Sequence, residues 1–244
     1  MSLNATPARS PRRSEVASPA IVIATPHQRN DILEQHVRDR LPGHRVVRFR
    51  SQKDLSRTAL EQIKPSFVFF PHWSWLIPSE VYSSFDCVIF HMTDLPYGRG
   101  GSPLQNLIIR GHSETVVSAL RCVKGLDAGP VYMKRPLSLS GAAEEILSRA
   151  SQVMEGMIVE IVETRPEPVA QDGEVVLFKR RTPKESDLSP LTELRRVYDH
   201  IRMLDAEGYP PAFIETDHLH IDFRQARLTD GAVEATVRIL NKPR

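Results

Sequence analysis

Short, almost wholly apolar runs recur through the first two-thirds of the chain, each separated from the next by a stretch with helical spacing. Ala20–Ala24 reads AIVIA, residues 67–70 read FVFF, and residues 86–90 carry CVIF, with Arg45–Phe49 between the first two. Runs this short have no polar face to show to water, so they fit parallel strands covered by helices on both sides. The intervening segments supply the helices. Residues 31–41 place Ile32, Leu33, His36 and Val37 on one face, and residues 55–63 and 79–84 follow as shorter helices. The spacing predicts two more strands, 115–122 and 131–137, and a long helix over 142–163. The fold class is therefore α/β, with a mostly parallel sheet and helices on both faces.

Both ends of the chain have a different texture. Residues 1–19 are rich in Ser, Pro, Ala and Arg without periodicity and predict a flexible tail. Pro166 and Pro168 mark a boundary after Thr164. Beyond it, a helix over 191–204 and a β-hairpin over 212–216 and 218–223 make a small C-terminal extension. The expected organisation is a tail (1–19), a catalytic domain (20–164) and that extension (165–244).

Charge and composition narrow the partners. The chain has 32 Lys and Arg against 30 Asp and Glu, a net charge of +2. Arg9, Arg12 and Arg13 against Glu15 account for that surplus, so the body of the chain is balanced and points away from a nucleic-acid partner. No apolar run approaches the roughly 18–20 residues that span a bilayer, and no membrane partner is expected. The N-terminus lacks the apolar core of a secretory signal, which makes cytoplasmic residence the expectation. Cys87 and Cys122 lie in apolar runs and read as reduced core thiols.

Chemistry concentrates around His91. It leaves the run CVIF and opens the stretch FHMTDLPYGRGGSPLQNL, residues 90–107. A histidine at the carboxyl end of a strand sits where open α/β sheets bind ligands. Gly98, Gly100 and Gly101 behind it permit close backbone approach to a ligand. Asp127 lies 36 positions downstream in a turn bounded by Gly125 and Gly129, suited to orienting an imidazole and raising its basicity. Ser102 at an N-cap and Pro103 at the first helical position open a helix to about Arg110. Arg99 beside that helix start either holds an anionic group or pins its own loop. His72, Trp73 and Trp75 follow the third strand, where aromatic rings serve packing or a flat heterocycle. His218 and His220 lack a third partner and read as surface residues, so no metal is expected. No Gly-Lys-Ser/Thr phosphate loop and no G-x-G-x-x-G follows the first strand.

His91, Thr93, Leu95-Pro96, Arg99-Gly100 and Ser102-Pro103, followed by Asp127-Ala128-Gly129, resemble in order the signature of the folate-dependent formyltransferases. The resemblance covers about residues 20–164. It implies a Rossmann-like sheet and 10-formyltetrahydrofolate as formyl donor. The donor would lie near residues 74–78 (Trp75, Leu76, Ile77, Pro78) and 123–127 (Val123, Gly125, Leu126). Thr93, Arg99, Gly100 and Ser102 would line the acceptor side. His91 would manage the amine proton during attack on the formyl carbon, and Asp127 would orient it and relay that proton. One departure stands out. The family's asparagine, two residues before the histidine, is Ile89 here. In the family that side chain is understood to bond the formyl oxygen and steady the tetrahedral oxyanion; His91, Thr93 or Asn106 are the candidate substitutes.

Residues 198–213 resemble the C-terminal region of sugar-nucleotide N-formyltransferases, in which such a hairpin often builds a dimer. The resemblance therefore implies a small-molecule amine acceptor, a nucleotide-linked 4-amino-dideoxyhexose, and a homodimer. Another small amine, such as a hydroxyornithine side chain, is the alternative acceptor. A catalytically impaired folate- or nucleotide-binding protein is the alternative from a different class.

Overall fold

The structure, a computed structural model, describes residues 18–242. Most of the expected tail, residues 1–17, lies outside the described residues. The chain runs β1 (Ala20–Ala24), α1 (Asp31–Arg40), β2 (Arg45–Phe49), α2 (Arg57–Ile63), β3 (Pro65–Phe70), α3 (Ser79–Tyr82) and β4 (Cys87–His91). It continues with β5 (Tyr97–Gly100), α4 (Pro103–Ile109), β6 (Glu114–Arg121), β7 (Val131–Ser138) and α5 (Ala143–Thr164). The remainder is β8 (Val176–Phe178), α6 (Leu194–Arg202), β9 (Ala212–Glu215), β10 (Leu219–Thr229) and β11 (Ala232–Asn241).

A six-stranded sheet in the order β2-β1-β3-β4-β6-β7 organises the molecule. The first four strands are parallel and the last two antiparallel. The expected apolar runs are its centre: all five residues of β1 are buried, and Phe69 and Phe70 are covered almost completely. Alternate residues feed two cores on opposite faces. Ile21, Ile23, Phe69 and Val88 pack with α1, α4 and α5, while Val22, Val68, Phe70 and Cys87 pack with α2 and α3. Removing the Phe69 ring would cost about 3–5 kcal/mol through lost burial and an unfilled cavity.

α1 buries Leu33 and Val37 but leaves Ile32 66% exposed, so the expected face is narrower than the spacing implied. α5 carries the expected strong pattern and buries Ile146, Ala150, Met154, Met157, Ile158 and Ile161. The C-terminal hairpin proves to be a three-stranded antiparallel sheet in the order β11-β10-β9. Its long β10–β11 arm was overlooked, although Val233, Val237 and Ile239 alternate with Glu234, Thr236 and Arg238 after the Asp230-Gly231 turn. A further two-stranded sheet, β5 with β8, was also missed. It joins the loop after His91 to the segment after Pro168, so that region is built from two distant parts of the chain.

Candidate active site

β4 ends at His91, and its parallel neighbour β3, with β1 beyond it, ends on the same side of the sheet, which makes the crevice there the natural ligand site. His91 is 7% exposed, so the imidazole is covered except for one edge. Its Nε2 donates to the Gly98 carbonyl at 2.7 Å. A carbonyl only accepts, so Nε2 carries a proton and Nδ1 is the nitrogen left for acid–base work. Nδ1 faces Asp127 Oδ2 at 3.6 Å.

Asp127 reaches that position by an indirect route. β6 is antiparallel to β4 and ends beside Cys87, whose carbonyl accepts the Cys122 amide at 2.8 Å. Residues 123–129 must therefore double back toward His91. Gly129 allows this, because a Cβ there would lie 1.8 Å from the Arg121 carbonyl oxygen. Asp127 itself is left-handed, with φ 48°. Its Oδ2 also accepts the Gly100 amide at 3.0 Å, which ties the carboxylate to the histidine loop.

The loop glycines serve the protein's own chain. A Cβ on Gly100 would stand 2.3 Å from the Phe178 carbonyl oxygen, and one on Gly101 would stand 2.6 Å from Arg180 Cα. The close approach expected of them is thus to β8 and the residues after it. Arg99 Nε and Nη2 both donate to Gln171 Oε1, at 3.0 and 2.8 Å, which is the loop-pinning alternative. Ser102 occupies the N-cap position of α4, but in a left-handed conformation, and its side chain makes no cap. Its Oγ accepts the Arg181 amide instead, at 3.1 Å. Thr93 is fully buried, with Oγ1 3.4 Å from the Gly98 carbonyl.

Ile89 packs on the same core as Trp73, Ile77 and Cys122. Of the expected substitutes, Asn106 is committed elsewhere. Its Nδ2 lies 3.0 Å from the carbonyls of Gly101, Ser102 and Lys179, and its Oδ1 accepts from Arg110.

Two loops carry exposed apolar groups. Leu76 is 86% and Trp75 37% exposed after β3, and Leu126 is 64% exposed in the Asp127 turn. Trp75 stands edge-on to Trp73 at 4.8 Å, and the buried Trp73 Nε1 has no hydrogen-bond partner. Ile77 and Pro78 are half-buried, as is Val123, and Gly125 is exposed with φ 113°. Apolar surface left facing water beside an acid–base pair suits a flat heterocycle.

A buried polar chain lies behind these loops. His72 Nε2 lies 3.1 Å from Ser151 Oγ, Ser151 Oγ lies 2.7 Å from Asn30 Oδ1, and Asn30 Nδ2 donates to Thr25 Oγ1 at 2.6 Å. Burial, then the charges of Arg29 and His27, push His72 down to about 3. Burial also raises both thiols, Cys122 to about 11, so neither is a nucleophile at neutral pH. His220, on β10 of the C-terminal sheet, lies between Glu215 and Asp222 at 3.0 Å each, and those two bonds raise its pKa. Among the described residues no cluster of three or more His, Cys, Asp or Glu could hold a metal. A surface recess of about 550 Å³ by α1 and α5 carries no free acid–base pair between Arg135 and Glu160, which bond each other at 2.6 Å.

Comparison with known proteins follows the same lines. A profile of the methionyl-tRNA formyltransferase C-terminal domain matches residues 183–240. A solved structure described as methionyl-tRNA formyltransferase from Clostridium thermocellum is similar at 42% identity and TM-score 0.89, covering 92% of this chain and 100% of that one. The methionyl-tRNA formyltransferase of Wolinella succinogenes is 27% identical over 161 residues, 64% of this chain and 52% of its own length. The chain thus spans about half the length of that curated relative. A sugar N-formyltransferase from Shewanella shares the fold, with TM-score 0.64 at 13% identity over 89% of this chain and 96% of that one.

Proposed function

The chain belongs to the formyltransferase family, and on that footing we propose that it moves a formyl group from 10-formyltetrahydrofolate to a primary amine. The observation that carries this reading is the convergence of His91 Nδ1 and Asp127 Oδ2 at 3.6 Å in one crevice. The donor supplies an activated formyl carbon. Trp75, Leu76 and Leu126 offer exposed apolar surface for its ring system.

The protein's part is proton handling. An amine attacking a carbonyl carbon becomes acidic and must lose a proton. Nδ1 is the ring nitrogen left to act as base, because Nε2–H is fixed on the Gly98 carbonyl. When Nδ1 takes that proton, the cation formed faces the Asp127 carboxylate, which stabilises it. As the formyl carbon–nitrogen bond of the donor breaks, the proton passes to the departing donor nitrogen, releasing tetrahydrofolate and the formylated amine. A positioned base of this kind contributes about 10²–10⁴ in rate. No covalent enzyme intermediate is needed, since the buried, high-pKa thiols are poor nucleophiles.

The acceptor we favour carries phosphate as well as an amine. Lys179 and Arg180 are exposed, and Arg180 packs against Gly101 beside the histidine loop. A nucleotide-linked amino sugar meets that requirement. The amine of a methionyl-tRNA meets it too, and the 42% identity to a chain bearing that name favours it as the second reading. Supplying each acceptor with the formyl donor and following the mass gain of one formyl group separates the two. A homodimer finds support in Val237 and Ile239, which are 45% and 61% exposed on β11, an edge strand. Size-exclusion chromatography with light scattering tests it.

A further inference from the structure

Residues 169–181 run as a strap over both parts of the site. Val169 bridges to Val131, the Val176 amide donates to the Pro96 carbonyl at 3.3 Å, and the Phe178 carbonyl accepts from Gly101 at 3.1 Å. The strap therefore touches the far side of the Asp127 turn first and the histidine loop afterwards. Between these contacts one side chain spans both. Gln171 Oε1 accepts from Arg99 Nε and Nη2, at 3.0 and 2.8 Å. Gln171 Nε2 donates to the carbonyls of Asp127 and Gly129, at 2.8 and 2.7 Å. A primary amide has two acceptor sites and two donor hydrogens, so all four are in use.

We infer that Gln171 is a positioning residue for the acid–base pair: it clasps the Asp127 turn to the Arg99 segment and so sets where the carboxylate stands relative to His91. Asp127 needs such a clasp. A left-handed conformation in a residue other than glycine is costly and persists only where the surroundings hold it. Here the carbonyl of that residue and the one two positions later are both gripped by the same amide. The carboxylate meanwhile rests on the Gly100 amide, next to Arg99, which Gln171 holds from the other side. Release of the clasp lets the turn and the loop drift apart, shifting Asp127 relative to His91 without deleting either side chain. Displacement by about 1 Å at a reacting centre costs on the order of 10² in rate.

The kinetic consequence rests on the formyl-transfer reading, whereas the clasp itself does not. The test compares Gln171→Glu and Gln171→Ala with the unaltered chain. The Gln171→Glu carboxylate would keep the acceptor for Arg99 and lose both donors to the turn. If Gln171 positions Asp127, both substitutions lower kcat by about 10- to 100-fold with KM nearly unchanged, and both speed hydrogen exchange of the Gly100 amide by about tenfold. If the glutamine merely anchors the strap through Arg99, Gln171→Glu behaves like the unaltered chain in both measurements, and the inference is overturned. A change confined to KM, or unaltered Gly100 exchange in Gln171→Ala, overturns it as well. Should the unaltered chain formylate no amine, the functional reading fails while the exchange measurement still decides the role of Gln171.

Discussion

His91 Nδ1 and Asp127 Oδ2 lie 3.6 Å apart although β4 and β6, the strands that lead to them, run in opposite directions. The carboxylate sits beside the imidazole because residues 123–129 fold back, with Gly129 against the Arg121 carbonyl and Gln171 over the turn. The pair is thus an assembled arrangement, held by bonds from three separate segments. Its charge should matter more than its shape.

Asp127→Asn isolates that charge. The amide oxygen can still accept from Gly100, so the turn keeps its anchor, but the imidazolium loses its counter-charge. kcat should fall by roughly 10²–10⁴ with the fold intact. Steady-state kinetics with thermal unfolding as a control measures this, and a change within about threefold would show that the carboxylate is only structural.

Ile89→Asn restores an amide where the resemblance places one. An added donor toward the formyl oxygen should raise kcat by about 10². Ile89 belongs to the core holding Trp73, Ile77 and Cys122, so stability should drop by about 1 kcal/mol. An unchanged kcat would mean that another group already steadies the developing charge.

Gly100→Ala probes the junction of loop and strap. The added Cβ would meet the Phe178 carbonyl oxygen at 2.3 Å, in a backbone with φ 115°. Denaturant unfolding should show a loss of about 1–3 kcal/mol, together with loss of activity. Gly43→Ala is the control, since nothing lies within 4 Å of its Cβ position. That variant should unfold as the unaltered chain does.

His72 should make the fold sensitive to acid. Burial holds it at about 3, against an ordinary value of 6.5. The unfolded chain therefore binds a proton that the folded chain refuses between these values. The stability this provides is complete above about pH 6.5 and is lost progressively as pH falls toward 3. Unfolding midpoints across pH 7.5 to 4.5 should fall with a slope to which His72 contributes one proton. His72→Asn should flatten that slope by the same proton, because asparagine tolerates the left-handed backbone of residue 72 (φ 52°).

Most of the sheet was legible in the sequence because its centre is apolar on both faces; AIVIA and FVFF admit few other readings. His91 and Asp127 were legible through their strand-end and Gly-bounded settings. Gln171 was not. A lone glutamine in a polar segment carries no periodicity, and its meaning arises only when β8 pairs with β5. The same pairing changes what Gly100, Gly101 and Ser102 are for. The long β10–β11 arm was overlooked although it was legible: aliphatic and polar residues alternate on both sides of the Asp230-Gly231 turn.

The most direct measurement is formyl transfer itself. The chain is incubated with 10-formyltetrahydrofolate and candidate amines, with and without His91→Ala, and the products are followed by mass spectrometry. The expected result is one amine that gains a formyl group, at a rate that His91→Ala lowers by about 10²–10⁴. Transfer by His91→Ala as fast as by the unaltered chain would contradict the role assigned to this histidine.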